Sequence, residues 1–187
     1  MASVMHAKAI PPVGGDTLFA DMAQAYDGLQ RDLADRIEAL SAVHSYAASF
    51  SFGNRAGAEL EKVKADAEAR GLYATHPIVR THPETGRRAL YINRGFTTRI
   101  EGLENEEESA RLLEDLFDHC EQQQFIQRHV WREADIVIWD NRRMMHQALA
   151  FPEDGPIRHM HRTTVKGDRP FLSKKKKTLT TGKQSRL

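Results

Sequence analysis

One histidine and two arginines in the last quarter of this chain have the types and spacing that do chemistry. His146 follows an apolar run, Ile136-Val137-Ile138-Trp139, and a polar turn, Asp140-Asn141-Arg142. A histidine leaving a strand suits a metal ligand, because neutral imidazole is the commonest protein ligand for a transition metal. Arg158 and Arg162 lie beyond an apolar loop containing Pro and Gly. Arginines four apart can present planar forks to carboxylate or sulfonate groups. In a strand, Arg158, Met160 and Arg162 share one face, and His159 and His161 share the other. That pairing leaves a second arrangement open, a metal site built on His146, His159 and His161. It competes with a purely structural role for the two neighbouring histidines.

The elements that must position these residues follow from pattern. Residues 3–10 alternate loosely as a strand and run into Pro11-Pro12-Val13-Gly14-Gly15-Asp16, a strong turn signal. After Thr17, residues 18–29 place Leu18, Met22, Ala25, Tyr26 and Leu29 at helical spacing, with Asp16 or Thr17 as N-cap. Residues 31–40 read as a second short helix with Leu33, Ile37 and Leu40 on one stripe. Residues 41–75 are the least legible, apart from a helix at about 58–70 ending at Gly71. Strands at 77–81 and 88–93 flank the HPETGR turn as a hairpin. Asn105 and Glu106, Glu107 and Glu108 open a helix through Cys120, their acidic side chains complementing its dipole. Strands follow at 125–132 and 136–140.

Bulk properties narrow the class. At 187 residues the chain suits one domain with a real core. It is 40% hydrophobic and 28% charged, with a formal net charge of +1, so charge gives no argument for nucleic acid or an anionic membrane. No apolar run approaches the length of a membrane span, and the first ten residues lack the pattern of a signal peptide. The single Cys120 cannot pair internally, which fits a reducing, cytoplasmic compartment. Residues 173–187 are Lys-, Thr- and Ser-rich with no apolar face, and are expected to be a disordered basic tail. The last three, Ser-Arg-Leu, stand one conservative step from a peroxisomal address, a minor alternative to the cytoplasm.

A resemblance becomes specific on WDNR (139–142), His146, MHRTTV (160–165) and GDRPF (167–171). It extends back through THPETGRRALYINRGFTTRI (81–100) to PPVGGDTLF (11–19). In these motifs the chain resembles the taurine/2,4-dichlorophenoxyacetate dioxygenases, which are non-haem Fe(II), 2-oxoglutarate-dependent oxygenases. The resemblance implies an α/β fold with a mainly β core and flanking helices, a double-stranded β-helix or jelly roll, over residues 1–172. It implies Fe(II), 2-oxoglutarate and O₂ as reaction partners, and hydroxylation of a small organic anion, with GFTTRI and Arg162 leaning toward a sulfonate such as taurine. No nucleic acid or membrane partner is implied, and a homo-oligomer is allowed.

Residue by residue, the resemblance makes His146 the distal histidine ligand of the iron. Arg158 matches the arginine pairing with the far carboxylate of 2-oxoglutarate, and Thr17 the threonine that assists it. Arg162 matches the arginine beside the anionic group of the substrate, and Phe96 an aromatic wall of that pocket. Read on residue type alone, Thr17 is a helix cap and Phe96 a core residue. The first two ligands of the family come as a His-x-Asp motif, and no histidine here has Asp two positions on. The jelly roll is therefore expected to be incomplete at its N-terminus, with iron binding and turnover impaired. The alternative is a catalytically dead interaction or oligomerisation module.

Overall fold

The computed structural model describes residues 1–49, 57–152 and 154–173. Two three-stranded antiparallel sheets form the part that carries the candidate chemistry. The first is centred on β1 (Ala2–Ala9), flanked by β9 (Ile136–Asp140) and β11 (His159–Val165). The second is centred on β2 (Thr17–Asp21), flanked by β8 (Ile126–His129) and β10 (Met144–Ala148). The chain crosses between their central strands through Gly14 and Gly15, both at positive φ. Those glycines are required twice over. A Cβ on Gly14 would lie 2.6 Å from the Ala150 carbonyl oxygen, and one on Gly15 2.9 Å from Arg158 Nε. Between the sheets, the Phe19 and Trp139 rings meet edge-on at 5.3 Å, an arrangement aromatic pairs favour.

A third sheet, β4 (Tyr73–Pro77), β3 (Ser41–Ser45) and β7 (Thr97–Glu101), and a hairpin of β5 (Val79–Thr81) with β6 (Arg88–Leu90) complete the strands. The helices are α1 (Met22–Asp27), α2 (Arg31–Ile37), α3 (Tyr46–Ser49), α4 (Ala58–Ala69) and α5 (Glu106–Cys120). In α5 the Asn105 side chain accepts from the Glu108 N–H at 2.7 Å, and three glutamates fill the first turn. Its inward stripe buries Leu112, Leu113, Leu116 and Phe117, each worth about 1.5–3 kcal/mol on removal from water. These join Ile37, Ile78, Val79, Leu90 and Ile100 in the main core.

Several expectations need correction. Helical spacing over 18–29 hides a strand followed by a six-residue helix, because β2 is hydrogen-bonded on both sides and four of its five residues are buried. Tertiary pairing overrides the local period there. The cap of α1 is Asp21, whose carboxylate accepts from the Ala23 and Gln24 N–H groups; neither Asp16 nor Thr17 caps a helix. The helix expected over 31–40 stops at Ile37. Strands β3, β4 and β7 were not legible, and the hairpin strand expected over 88–93 is confined to Arg88–Leu90. The expected basic tail lies outside the described residues, apart from Ser173.

Among the described residues nothing covers the outer face of the first sheet. Register places Val4 and His6 beside Ile138 and Ile136, and Ala2 beside Val165. Ile136, Ile138 and Val165 are all exposed large apolar residues.

Candidate functional site

A cavity of about 400 Å³ opens beside the two sheets, with Arg162, Phe96, Met145, His44, His76 and Tyr91 in its wall. Arg162 reaches it from β11, where it pairs in register with Met5 of β1. Phe96 follows the Asn93 turn: its N–H donates to Asn93 Oδ1 at 2.9 Å, and its carbonyl accepts from the Ser45 N–H at 2.7 Å. Its ring is 41% exposed, so it is a cavity wall and not a core residue. Behind it, Arg94 donates to Asp118 at 2.6 Å and to Glu121 at 3.0 Å, pairs with Glu114, and lies over the Phe117 ring. That knot ties the Phe96 turn to α5.

His146 lies one residue beyond Met145, in the middle of β10 and not past the end of a strand, opposite Phe19 in register. Its ring sits 4.9 Å from that of Trp139 and 6.2 Å from that of Phe19. Desolvation on this aromatic side lowers its pKa, and the nearby positive charge of Arg162 lowers it further, although the residue keeps an edge open to solvent. A neutral imidazole with an open edge is the form that binds a metal.

Arg158 and Thr17 lie outside the cavity wall, and Arg158 contacts Gly15, two positions before Thr17. Arg158 sits just before β11, so it does not share the strand face of Met160 and Arg162 as alternation suggested. Its Nε donates to the Gly15 carbonyl at 3.2 Å and its guanidinium carbon lies 5.9 Å from the Phe151 ring centroid. Among the described residues it has no carboxylate partner. Burial pushes its pKa down, as expected for a guanidinium short of an anion. Thr17 is buried at the start of β2 and its Oγ1 accepts from the Trp131 indole N–H at 2.9 Å, leaving the hydroxyl proton to donate elsewhere. Arg158 thus has the chemistry to take a carboxylate.

The donor set for a metal is short. Among the described residues no group of three or more His, Cys, Asp or Glu side chains could hold a metal ion. His159 and His161 do neighbour each other, at 4.9 Å, with His6 6.5 Å from His161. His6 and His161 are paired in register on the bare outer face, which removes the three-histidine metal site. His146 alone does not suffice for iron. Sequence reasoning also missed His44, His76 and Tyr91, since nothing in their spacing marks them; the third sheet brings the two histidines to the cavity, and Tyr91 follows β6 of the hairpin. Cys120 is buried in the core with its thiol pushed up to about 12 by desolvation and Glu121, so it is inert at neutral pH.

The family described as "Taurine catabolism dioxygenase TauD, TfdA family" matches residues 1–164. The (S)-phenoxypropionate/alpha-ketoglutarate-dioxygenase of Sphingobium herbicidovorans is 42% identical over 150 residues, 78% of this chain and 50% of the relative. The alpha-ketoglutarate-dependent sulfonate dioxygenase of Saccharomyces cerevisiae is 37% identical over 161 residues, 86% of this chain and 37% of the relative. A taurine dioxygenase structure from Burkholderia xenovorans superposes with a TM-score of 0.74 at 34% identity, covering 90% of this chain and 54% of that one. AAD-2, solved with Mn(II) and N-oxalylglycine, gives a TM-score of 0.77 at 32% identity over 92% of this chain and 65% of that chain. The chain spans about half the length of the curated relatives it matches.

Proposed function

We propose a function on the premise that this chain belongs to the taurine catabolism dioxygenase TauD, TfdA family. Its residues form the co-substrate and substrate-anion parts of an Fe(II)- and 2-oxoglutarate-dependent dioxygenase acting on a small organic anion. In that reaction O₂ hydroxylates the anion while 2-oxoglutarate is decarboxylated to succinate. Arg158 receives the far carboxylate of 2-oxoglutarate, with Thr17 beside it. Arg162 receives the anionic group of the substrate, Phe96 lines its body, and His146 is one metal ligand. The observation that carries this reading is the half-buried Arg158 guanidinium, held against Gly15 with no carboxylate partner among the described residues. Relatives named for sulfonate and for phenoxy substrates both support an organic anion. We favour a sulfonate because Phe96 of GFTTRI and Arg162 both line the cavity.

The two three-stranded sheets are read as parts of a double-stranded β-helix, in which β10 and β11 are edge strands among the described residues. One ligand of three is too few for iron, since changes even in groups supporting a ligand cost roughly 10–100-fold in affinity. These 187 residues alone are therefore expected to turn over little. A second reading, an interaction module or homo-oligomer, draws on the bare face of Ile136, Ile138 and Val165, the kind of surface that seeks a partner. The cytoplasm is the compartment proposed.

Oxygen consumption and succinate release, with Fe(II), 2-oxoglutarate and taurine, test the reading. Little turnover, with measurable binding of 2-oxoglutarate, is expected. Robust turnover would remove the impairment and keep the activity. Absence of any 2-oxoglutarate binding would remove the dioxygenase reading.

A further inference from the structure

His159 and His161 take no part in the cavity, and the structural role that competes with metal binding for them is not what they perform. A structural histidine is held by its neighbours, as His82 is by Asp140 at 2.9 Å and His119 by the Ala25 carbonyl at 2.7 Å. His159 and His161 are both exposed, and among the described residues no hydrogen bond or ion pair engages either ring. Their ring neighbours are other imidazoles: the two ring centroids stand 4.9 Å apart, and that of His6 lies 6.5 Å from His161.

Strand geometry puts the pair together. Along β11, Met160, Arg162 and Thr164 turn one way, and Arg162 and Thr164 reach the cavity. His159 and His161 turn the other way, onto the outer face where His161 pairs in register with His6. Two imidazoles sharing one tetrahedral ion through bonds of about 2.0–2.1 Å have ring centres about 5 Å apart. The 4.9 Å between His159 and His161 is that separation. His6, at 6.5 Å, stands at the limit that two rings on opposite sides of one ion can span, so it is not counted as a ligand. Pairing of β11 with β1 already holds the strand extended, and the two rings can meet an ion with no change of backbone.

We propose that His159 and His161 chelate one late divalent transition ion, of the Zn²⁺ and Cu²⁺ kind, on the outer face of the first sheet. Water fills the remaining positions. Imidazole suits these ions, whereas Mg²⁺ favours oxygen ligands. Two neutral ligands and no anionic one make a site of modest affinity, in which Cu²⁺ binds more tightly than Zn²⁺. The site is separate from His146, whose ring lies against those of Trp139 and Phe19, and it does not rest on the dioxygenase reading. Histidines two apart on a strand converge on one ion only while that strand is extended. A bound ion therefore stabilises β11, the strand that carries Arg162 on its other face.

Zn²⁺, Cu²⁺ and Mg²⁺ are titrated by calorimetry into the full chain and its His159→Gln, His161→Gln and His146→Gln variants. Zn²⁺ and, more tightly, Cu²⁺ are expected to saturate one site, and Mg²⁺ to give none. His159→Gln and His161→Gln should each weaken Zn²⁺ at least about ten-fold, since losing a group that only supports a ligand already costs roughly 10–100-fold. His146→Gln should leave that affinity unchanged. Both substituted side chains are exposed, so the variants should unfold at the wild-type midpoint without metal, and only the wild type should gain stability with Zn²⁺. The electron paramagnetic resonance spectrum at one equivalent of Cu²⁺ should carry splitting from two imidazole nitrogens. Zn²⁺ affinity that survives both His159→Gln and His161→Gln, or that is lost in His146→Gln, overturns the assignment. A Cu²⁺ signal from a single nitrogen, or no binding of either ion, overturns it as well.

Discussion

Arg80 is the largest of the fully buried side chains, at 0% exposure, and its only charged partner among the described residues is Asp168, Oδ2 to Nη2 at 3.0 Å. Among the described residues its Nε and Nη1 find no hydrogen-bond partner, and its guanidinium lies 5.4 Å from the Tyr91 ring centroid. Replacing Asp168 by Asn leaves a guanidinium charge inside the protein with nothing to balance it. Two unit charges about 4 Å apart at an effective dielectric of about 20 attract by about 4 kcal/mol. Breaking a fully buried pair costs about 3–5 kcal/mol. Asp168 is 33% exposed, so water screens the pair and the expected loss for Asp168→Asn falls to about 2–3 kcal/mol. Arg80→Met removes the charge together with its desolvation cost, and is expected to fall within about 1 kcal/mol of wild type. Urea unfolding with a common m-value measures both. The reasoning fails if Asp168→Asn costs less than about 0.5 kcal/mol, or if Arg80→Met costs as much as Asp168→Asn.

Arg94→Ala removes three partly exposed ion pairs and the contact with Phe117. A loss of about 1–2 kcal/mol is expected, shrinking in 1 M salt, and urea unfolding at two salt concentrations checks it. His44 is depressed to about 4 from 6.5. The unfolded chain therefore binds a proton that the folded chain refuses, and stability present above pH 6.5 is lost as pH falls toward 4. His44→Phe should flatten that limb of a stability–pH profile. Burial pushes the Asp140 carboxyl up, but hydrogen bonds from Arg142 and His82 outweigh it and hold it well below the usual carboxylate range. Its stabilising contribution is present above about pH 4 and lost as pH falls below that; acid unfolding of Asp140→Asn should lack this component.

The residues proposed to bind anions stand out in the sequence because their pattern is local. Arg158 and Arg162 lie on either side of the start of one strand, and Thr17 follows a Gly-Gly turn whose two glycines cannot carry a side chain. The hairpin around HPETGR and the capped α5 were legible for the same reason, since turn residues and caps act within a few positions. What failed is non-local. Residues 18–21 have helical spacing but are held extended by strands more than a hundred positions away. His44 and His76 meet only because β3 pairs with β4, and a pairing of that kind leaves no mark in the spacing of either histidine. Arg158 shows the limit of alternation: the strand begins one residue later, beside a register shift between Ala7 and Ala9.

The most direct test of the account is a calorimetric titration of 2-oxoglutarate into the metal-free chain and its Arg158→Met variant. The account predicts saturable binding, weak without a metal, that falls at least about ten-fold when the guanidinium and its bidentate grip on the carboxylate are removed. Equal affinity for the two proteins, or no heat from either, would contradict the placement of the co-substrate at Arg158.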